Sequence, residues 1–215
     1  MKEHHLIIPK TARYFQNGEL NQSTSEVWIV CHGYGQLANF FLRKFDLLNS
    51  NTTCIIAPEG LHRYYLEGSA GRVGASWMTK EDRLTDIKDY INYLDLLAEK
   101  VKQAAPKSKL YVLGFSQGCA TVSRWVNQGK TLPDALILYA GVFPPDLDFS
   151  IEGSALRNTK VILTNGNRDE YLKEGDINHQ LSIMEQNGIQ PEFIPFEGSH
   201  QIYPEVLDLI RKKLS

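Results

Sequence analysis

Short, unbroken apolar runs recur along this 215-residue chain, and most are separated by stretches with apolar residues at every third or fourth position. The runs are 26–31 (EVWIVC), 53–57 (TCIIA), 109–115 (KLYVLGF), 135–140 (ALILYA), 160–164 (KVILT) and 192–196 (EFIPF). A strand with one wet face alternates apolar and polar residues, so an unbroken run calls for cover on both faces. Helical spacing shows in Leu37, Phe40, Phe41, Phe45 and Leu48, and in Leu84, Ile87, Ile91, Leu94, Ala98 and Val101. It shows again over 117–128, in Ile177, Leu181 and Met184, and in Val206, Leu207, Ile210 and Leu214. Strand and helix therefore alternate, which predicts an α/β fold: a mainly parallel sheet with helices on both faces. Residues 4–8 and 13–16 read as two more short strands, suited to a hairpin. Residues 61–81 hold three glycines and several aromatics, show neither period, and read as a loop excursion. Pro195 places the last run at a sheet edge.

The charge balance narrows the partners. Lys and Arg number 23 against 25 Asp and Glu, a net charge of −2, so no broad basic field is present to collect nucleic acid. With 42% hydrophobic and 22% charged residues the chain is not of the disordered class. Its length fits one domain spanning 1–215. Cys31, Cys54 and Cys119 form no CxxC pair, which argues against a zinc ribbon or disulfide framework and for buried thiols in a reducing compartment. The first residues, MKEHHLIIPK, lack the long apolar core of a signal peptide, and no stretch reaches the roughly 18 apolar residues of a membrane span. The expectation is a cytoplasmic protein with no integral membrane association, its oligomeric state left open.

In parallel sheets, ligands bind beyond the carboxyl ends of the strands. The loop after residue 115 carries Gly114-Phe115-Ser116-Gln117-Gly118, a GxSxG pattern. A chain this long matches that pattern by chance roughly once in fifteen, so context decides. Here it joins an apolar strand to a helix, where a nucleophile elbow belongs. The tight turn lifts the Ser116 hydroxyl clear of the sheet, and the Gln117 amide points at an incoming carbonyl oxygen. A serine needs a base and the base needs an orienting acid. Of six histidines, His200 falls in the loop right after the last strand, at the same sheet edge as Ser116. His4 and His5 precede the sheet, His179 lies within a helix, His32 belongs to the turn His32-Gly33-Tyr34-Gly35, and His62 stays open for substrate contact. Asp169 follows the strand ending near 164 and is the candidate acid; the adjacent Glu170 could substitute. The order Ser116, Asp169, His200 is that of α/β-hydrolases. The Tyr34 amide is the candidate second oxyanion donor.

On these residues the chain resembles the phospholipase/carboxylesterase family of the α/β-hydrolases, which includes acyl-protein thioesterases. The resemblance rests on HGYG at 32–35, APEG at 57–60, SW at 76–77, GFSQG at 114–118, the NGNRD turn and GSH at 198–200, in the family's order. It implies an α/β-hydrolase fold without a separate cap domain. It further implies a serine esterase or thioesterase with no metal or organic cofactor, Ser116, Asp169 and His200 as triad, and the Tyr34 and Gln117 amides as oxyanion hole. Its substrate would be a small-molecule or lipid acyl ester or thioester. The chain departs from the family at Cys119, at Gln36, and at Glu170-Tyr171 after the acid, where Pro and an apolar residue are common. Loop 61–81 is expected to cover the substrate, with Tyr65, Trp77, Met78 and Phe143 as candidate substrate contacts. Two other readings use the same scaffold: a non-catalytic ligand-binding protein, and a serine peptidase or lactonase.

Overall fold

The apolar runs pair side by side. The computed structural model describes residues 1–150, 154–173 and 175–214. Its strands are β1 (Tyr14–Asn17), β2 (Glu26–Cys31), β3 (Thr53–Pro58), β4 (His62–Glu67), β5 (Ala70–Ser76), β6 (Lys109–Phe115), β7 (Ala135–Tyr139), β8 (Lys160–Gly166) and β9 (Glu192–Phe196). Its helices are α1 (Ala38–Leu42), α2 (Arg83–Ala104), α3 (Gln117–Gln128), α4 (Asp176–Gln186) and α5 (Pro204–Leu214). Among the described residues, β1-β3-β2-β6-β7-β8-β9 form one sheet in that order. All its pairs are parallel except β1 with β3. β9 is an edge strand, as Pro195 predicts.

Strand side chains alternate between two apolar layers. Val27, Ile29, Val112, Leu138 and Leu163 pack with Ile91 and Leu94 of α2, Trp125 of α3 and Met184 of α4. Trp28, Val30, Leu113, Ile137 and Ile162 pack with Phe41 of α1 and Ile210 of α5. Both faces are covered, which is why these strands read as unbroken apolar runs.

Three expectations change. Residues 4–8 form no strand; they lie exposed, with Leu6 and Ile7 mostly in solvent, because no neighbouring strand pairs with them. The second of that pair survives as β1, bonded to β3. The stretch 61–81 is not a loop: β4 and β5 form a separate antiparallel hairpin with a bulge between Tyr65 and Glu67. The helical spacing of 37–48 becomes a short α1 continued by a 3-10 turn over Arg43–Leu48. Among the described residues no separate cap domain stands over the sheet.

Candidate active site

Ser116 sits between the end of β6 and the first turn of α3 with φ +55° and ψ −117°, outside the regions ordinary residues favour. The turn is possible because the backbone closes on itself at two glycines. A Cβ on Gly114 would lie 2.3 Å from the Gly118 carbonyl oxygen, and one on Gly118 would lie 2.3 Å from that of Cys31. The Ser116 amide donates to the Tyr139 carbonyl (3.1 Å) and the Ser116 carbonyl accepts from the Cys119 amide (3.0 Å), so β7 and α3 both fix the elbow.

The loops after β8 and β9 are tied to each other. The Arg168 amide donates to the Gly198 carbonyl (2.9 Å), and the Gly198 amide to Asn167 Oδ1 (3.2 Å). Tyr203 accepts from the Ser199 amide through its hydroxyl, 3.0 Å away. These bonds bring Asp169 to His200: Nδ1 of the imidazole lies 2.9 Å from Oδ2 of a carboxylate with no exposed surface. The other carboxylate oxygen accepts from the Tyr171 amide (3.0 Å). Glu170, the rival acid, instead accepts from the His200 backbone amide (3.4 Å). With Nδ1 bonded to the carboxylate, Nε2 is the nitrogen left for proton transfer. The His200 ring packs 4.9 Å from that of Phe115, the residue before the serine.

The turn after β2 comes in from the other side. A Cβ on Gly33 would stand 3.1 Å from the Ser116 Cβ, so this turn runs beside Ser116. Among the described residues, neither the Tyr34 nor the Gln117 amide has a protein acceptor. His32 holds the turn. The Gly60 amide donates to its Nε2 (3.0 Å), so the ring is the neutral tautomer that donates from Nδ1 to the Gly33 carbonyl (2.7 Å). Burial lowers the His32 pKa below the ordinary histidine value, in keeping with that neutral form.

The hairpin is welded to the same turn. The Gly35 amide donates to the Ala75 carbonyl (2.9 Å), and the Ala75 amide to that of Gln36 (3.2 Å). The Gln117 side chain clamps the strand's end, accepting from the Trp77 amide (3.2 Å) and donating to the Met78 carbonyl (2.9 Å) and Ser76 Oγ (3.1 Å). Sequence reasoning assigned Gln117 only its amide and missed this side chain. It also missed Glu59, a buried carboxylate paired with Arg13 (2.7 Å) and Arg63 (3.3 Å) that ties the residue just before β1 to the hairpin. Its place in APEG, ending a buried strand, is the signal that could have found it.

The four expected substrate contacts part ways. Trp77 is fully buried, its indole N–H donating to the His32 carbonyl (2.8 Å), and Phe143 is buried against Phe149. Both are placed in the core instead of at an open mouth, because they pack within one apolar layer, the one that also holds Tyr90, Trp125 and Met184. Met78 is half-buried beside Arg124, and Tyr65 is half-exposed on β4. His62 pairs with Asp86 (2.9 Å), and His179 is exposed on α4. A cavity of about 800 Å³ lined by Leu96, Val101, Leu110 and Leu132 lies at the amino ends of β6 and β7, opposite the serine, and holds no triad residue. Glu3, His5 and Asp82 group at the surface, all three exposed.

The sequence pattern of the phospholipase/carboxylesterase family matches residues 18–215. The chain belongs to the phospholipase/carboxylesterase family. Solved structures share its fold. Esterase PE8 is 18% identical with a TM-score of 0.74, covering 96% of this chain and 100% of that one. Acyl-protein thioesterase 2 from Zea mays is also 18% identical with a TM-score of 0.74, over 95% and 98% of the two chains. A carboxylesterase from Bacillus cereus is 12% identical at 0.66, over 94% and 93%. No curated protein matches the chain. Among the described residues no helix is long and apolar enough to cross a membrane.

Proposed function

We propose that this family member is a serine hydrolase that cleaves acyl esters or thioesters through an acyl-serine intermediate. The observation that carries the reading is the buried Asp169 carboxylate 2.9 Å from His200 Nδ1, with the His200 ring against the residue that precedes Ser116. Family membership, and the esterase and the acyl-protein thioesterase that share this fold, support the same class of substrate.

In acylation, Ser116 Oγ attacks the carbonyl carbon while its proton passes to His200 Nε2. Asp169 holds the ring in the needed tautomer and stabilises the imidazolium. The negative charge that develops on the carbonyl oxygen is met by the unengaged amides of Tyr34 and Gln117, each worth about 3 kcal/mol of barrier. The imidazolium then protonates the departing alcohol as the C–O bond breaks; with a thioester the C–S bond breaks to release a thiolate, and the imidazolium gives its proton to that thiolate or to solvent. Water attacks the acyl-serine with His200 again as base, and the enzyme is restored. No residue in this sequence of steps needs a metal or organic cofactor. A small-molecule or lipid ester is the expected substrate, and the cytoplasm the expected compartment.

Hydrolysis of p-nitrophenyl acetate and butyrate by the protein, compared with Ser116→Ala, is the test. Turnover abolished by the substitution in a folded protein is the expected result. Equal rates from the two would leave a ligand-binding scaffold as the better account.

A further inference from the structure

Tyr171 is the most exposed aromatic side chain beside the triad: 72% of its surface faces solvent, yet its ring meets the His200 imidazole edge-on at 4.6 Å. Its backbone is not free to wander, because its amide donates to the catalytic carboxylate, Asp169 Oδ1. The imidazole therefore has two aromatic neighbours with different jobs. Phe115, 3% exposed, supports it from the core. Tyr171 contributes almost nothing to the core, so packing does not explain an aromatic ring at this point. An exposed aromatic ring that borders a site offers an incoming group a flat apolar face with a polar edge.

The chemistry says what the ring would contact. Nδ1 of His200 is occupied by Asp169, so Nε2 must deliver the proton to the departing oxygen. The departing group consequently lies against the imidazole, and the aromatic ring on the solvent side of that imidazole is Tyr171. The acyl group, in contrast, has its carbonyl oxygen turned toward the Tyr34 and Gln117 amides.

We propose that Tyr171 is a specificity-determining residue that favours esters with a flat aromatic alcohol portion, by edge or face contact with the leaving group. The inference rests on the serine-hydrolase reading. An aromatic pair of this kind is worth about a fivefold preference.

The experiment compares phenyl acetate with trifluoroethyl acetate, which share an acyl group and differ in the flatness of an activated leaving group. Wild type, Tyr171→Phe and Tyr171→Ala are measured for kcat and KM, and all three are labelled with a fluorophosphonate to count reactive Ser116. Tyr171→Ala is expected to raise KM about fivefold more for phenyl acetate than for trifluoroethyl acetate while Ser116 still labels, and Tyr171→Phe to behave as wild type. Equal effects on both esters, or none on either, would overturn the proposal with the hydrolase reading intact. A wild-type protein that neither labels nor turns over would remove both.

Discussion

Ser116 spends backbone strain to present its hydroxyl, and the residues around it hold that strain in place. The three candidate triad residues could be singled out because each follows the end of an apolar run, and topology alone brings the carboxyl ends of parallel strands to one edge. What spacing did not disclose is the set of second partners. Gln117 Oε1 and Nε2 bind a strand forty residues away in sequence, a pairing with no local signature. Asp169→Asn keeps the size of the side chain but can donate to Nδ1, favouring the wrong tautomer. A kcat loss of about ten-thousandfold with an unchanged far-UV spectrum is expected from steady-state kinetics on that variant. His32 gives a pH prediction. Its folded pKa lies below the ordinary 6.5, so the unfolded chain binds the proton first as pH falls. Its contribution is thus complete above about 6.5 and declines below it, by at most about 1.4 kcal/mol per pH unit. Urea midpoints measured across that range should fall more steeply for wild type than for His32→Gln, which has no proton to gain; parallel slopes would refute it.

The sheet strands read correctly from sequence to within a residue or two, since burial on both faces of the central strands leaves unbroken apolar runs of strand length between segments of helical period. The hairpin β4–β5 was illegible for the converse reason. Its sequence HRYYLE puts aromatic residues at positions that stay half in solvent, and β5 carries two glycines within AGRVGAS, so no period-two pattern survives. Its order comes from docking on the turn after β2 rather than from a core. One local sign was present: Gly68-Ser69 is a two-residue connection of the kind hairpins favour, and Gly68 takes φ +59°. Residues 4–8 failed in the opposite direction, with strand-like composition and nothing to pair with. The docking ties the hairpin to the turn that carries Tyr34, the proposed oxyanion donor. A Cβ on Gly74 would fall 2.5 Å from the Gly35 carbonyl oxygen, which is backbone and must itself move. Gly74→Ala is therefore expected to displace the Tyr34 amide and lower kcat about ten- to hundredfold, with KM and secondary structure little changed. A variant with wild-type kcat would show that the hairpin and the oxyanion turn are mechanically independent.

At the scale of the whole chain, the two apolar layers share every central strand, a coupling that supports the proposal of one domain over 1–215. The three cysteines and three tryptophans test this directly. Cys31, Cys54 and Cys119 are all fully buried, on β2, β3 and α3, and belong to the layer that also holds Trp77 and Trp125. Burial pushes the Cys54 thiol up to about 11 and raises the Cys31 and Cys119 thiols further, so thiolate is scarce while the fold is closed. Trp28 reports from the opposite layer, its ring 4.9 Å from that of Tyr111. If the sheet unites the layers, neither can open without the other, because each strand would lose cover on one face and expose an unbroken apolar run. Native protein should then be inert to Ellman's reagent. In rising urea, thiol reactivity and the fluorescence of a variant retaining only Trp28 should change over the same concentration range. Thiols that react well before Trp28 responds would mean the α2–α3 layer separates first, and that the chain comprises two cooperative units instead of one.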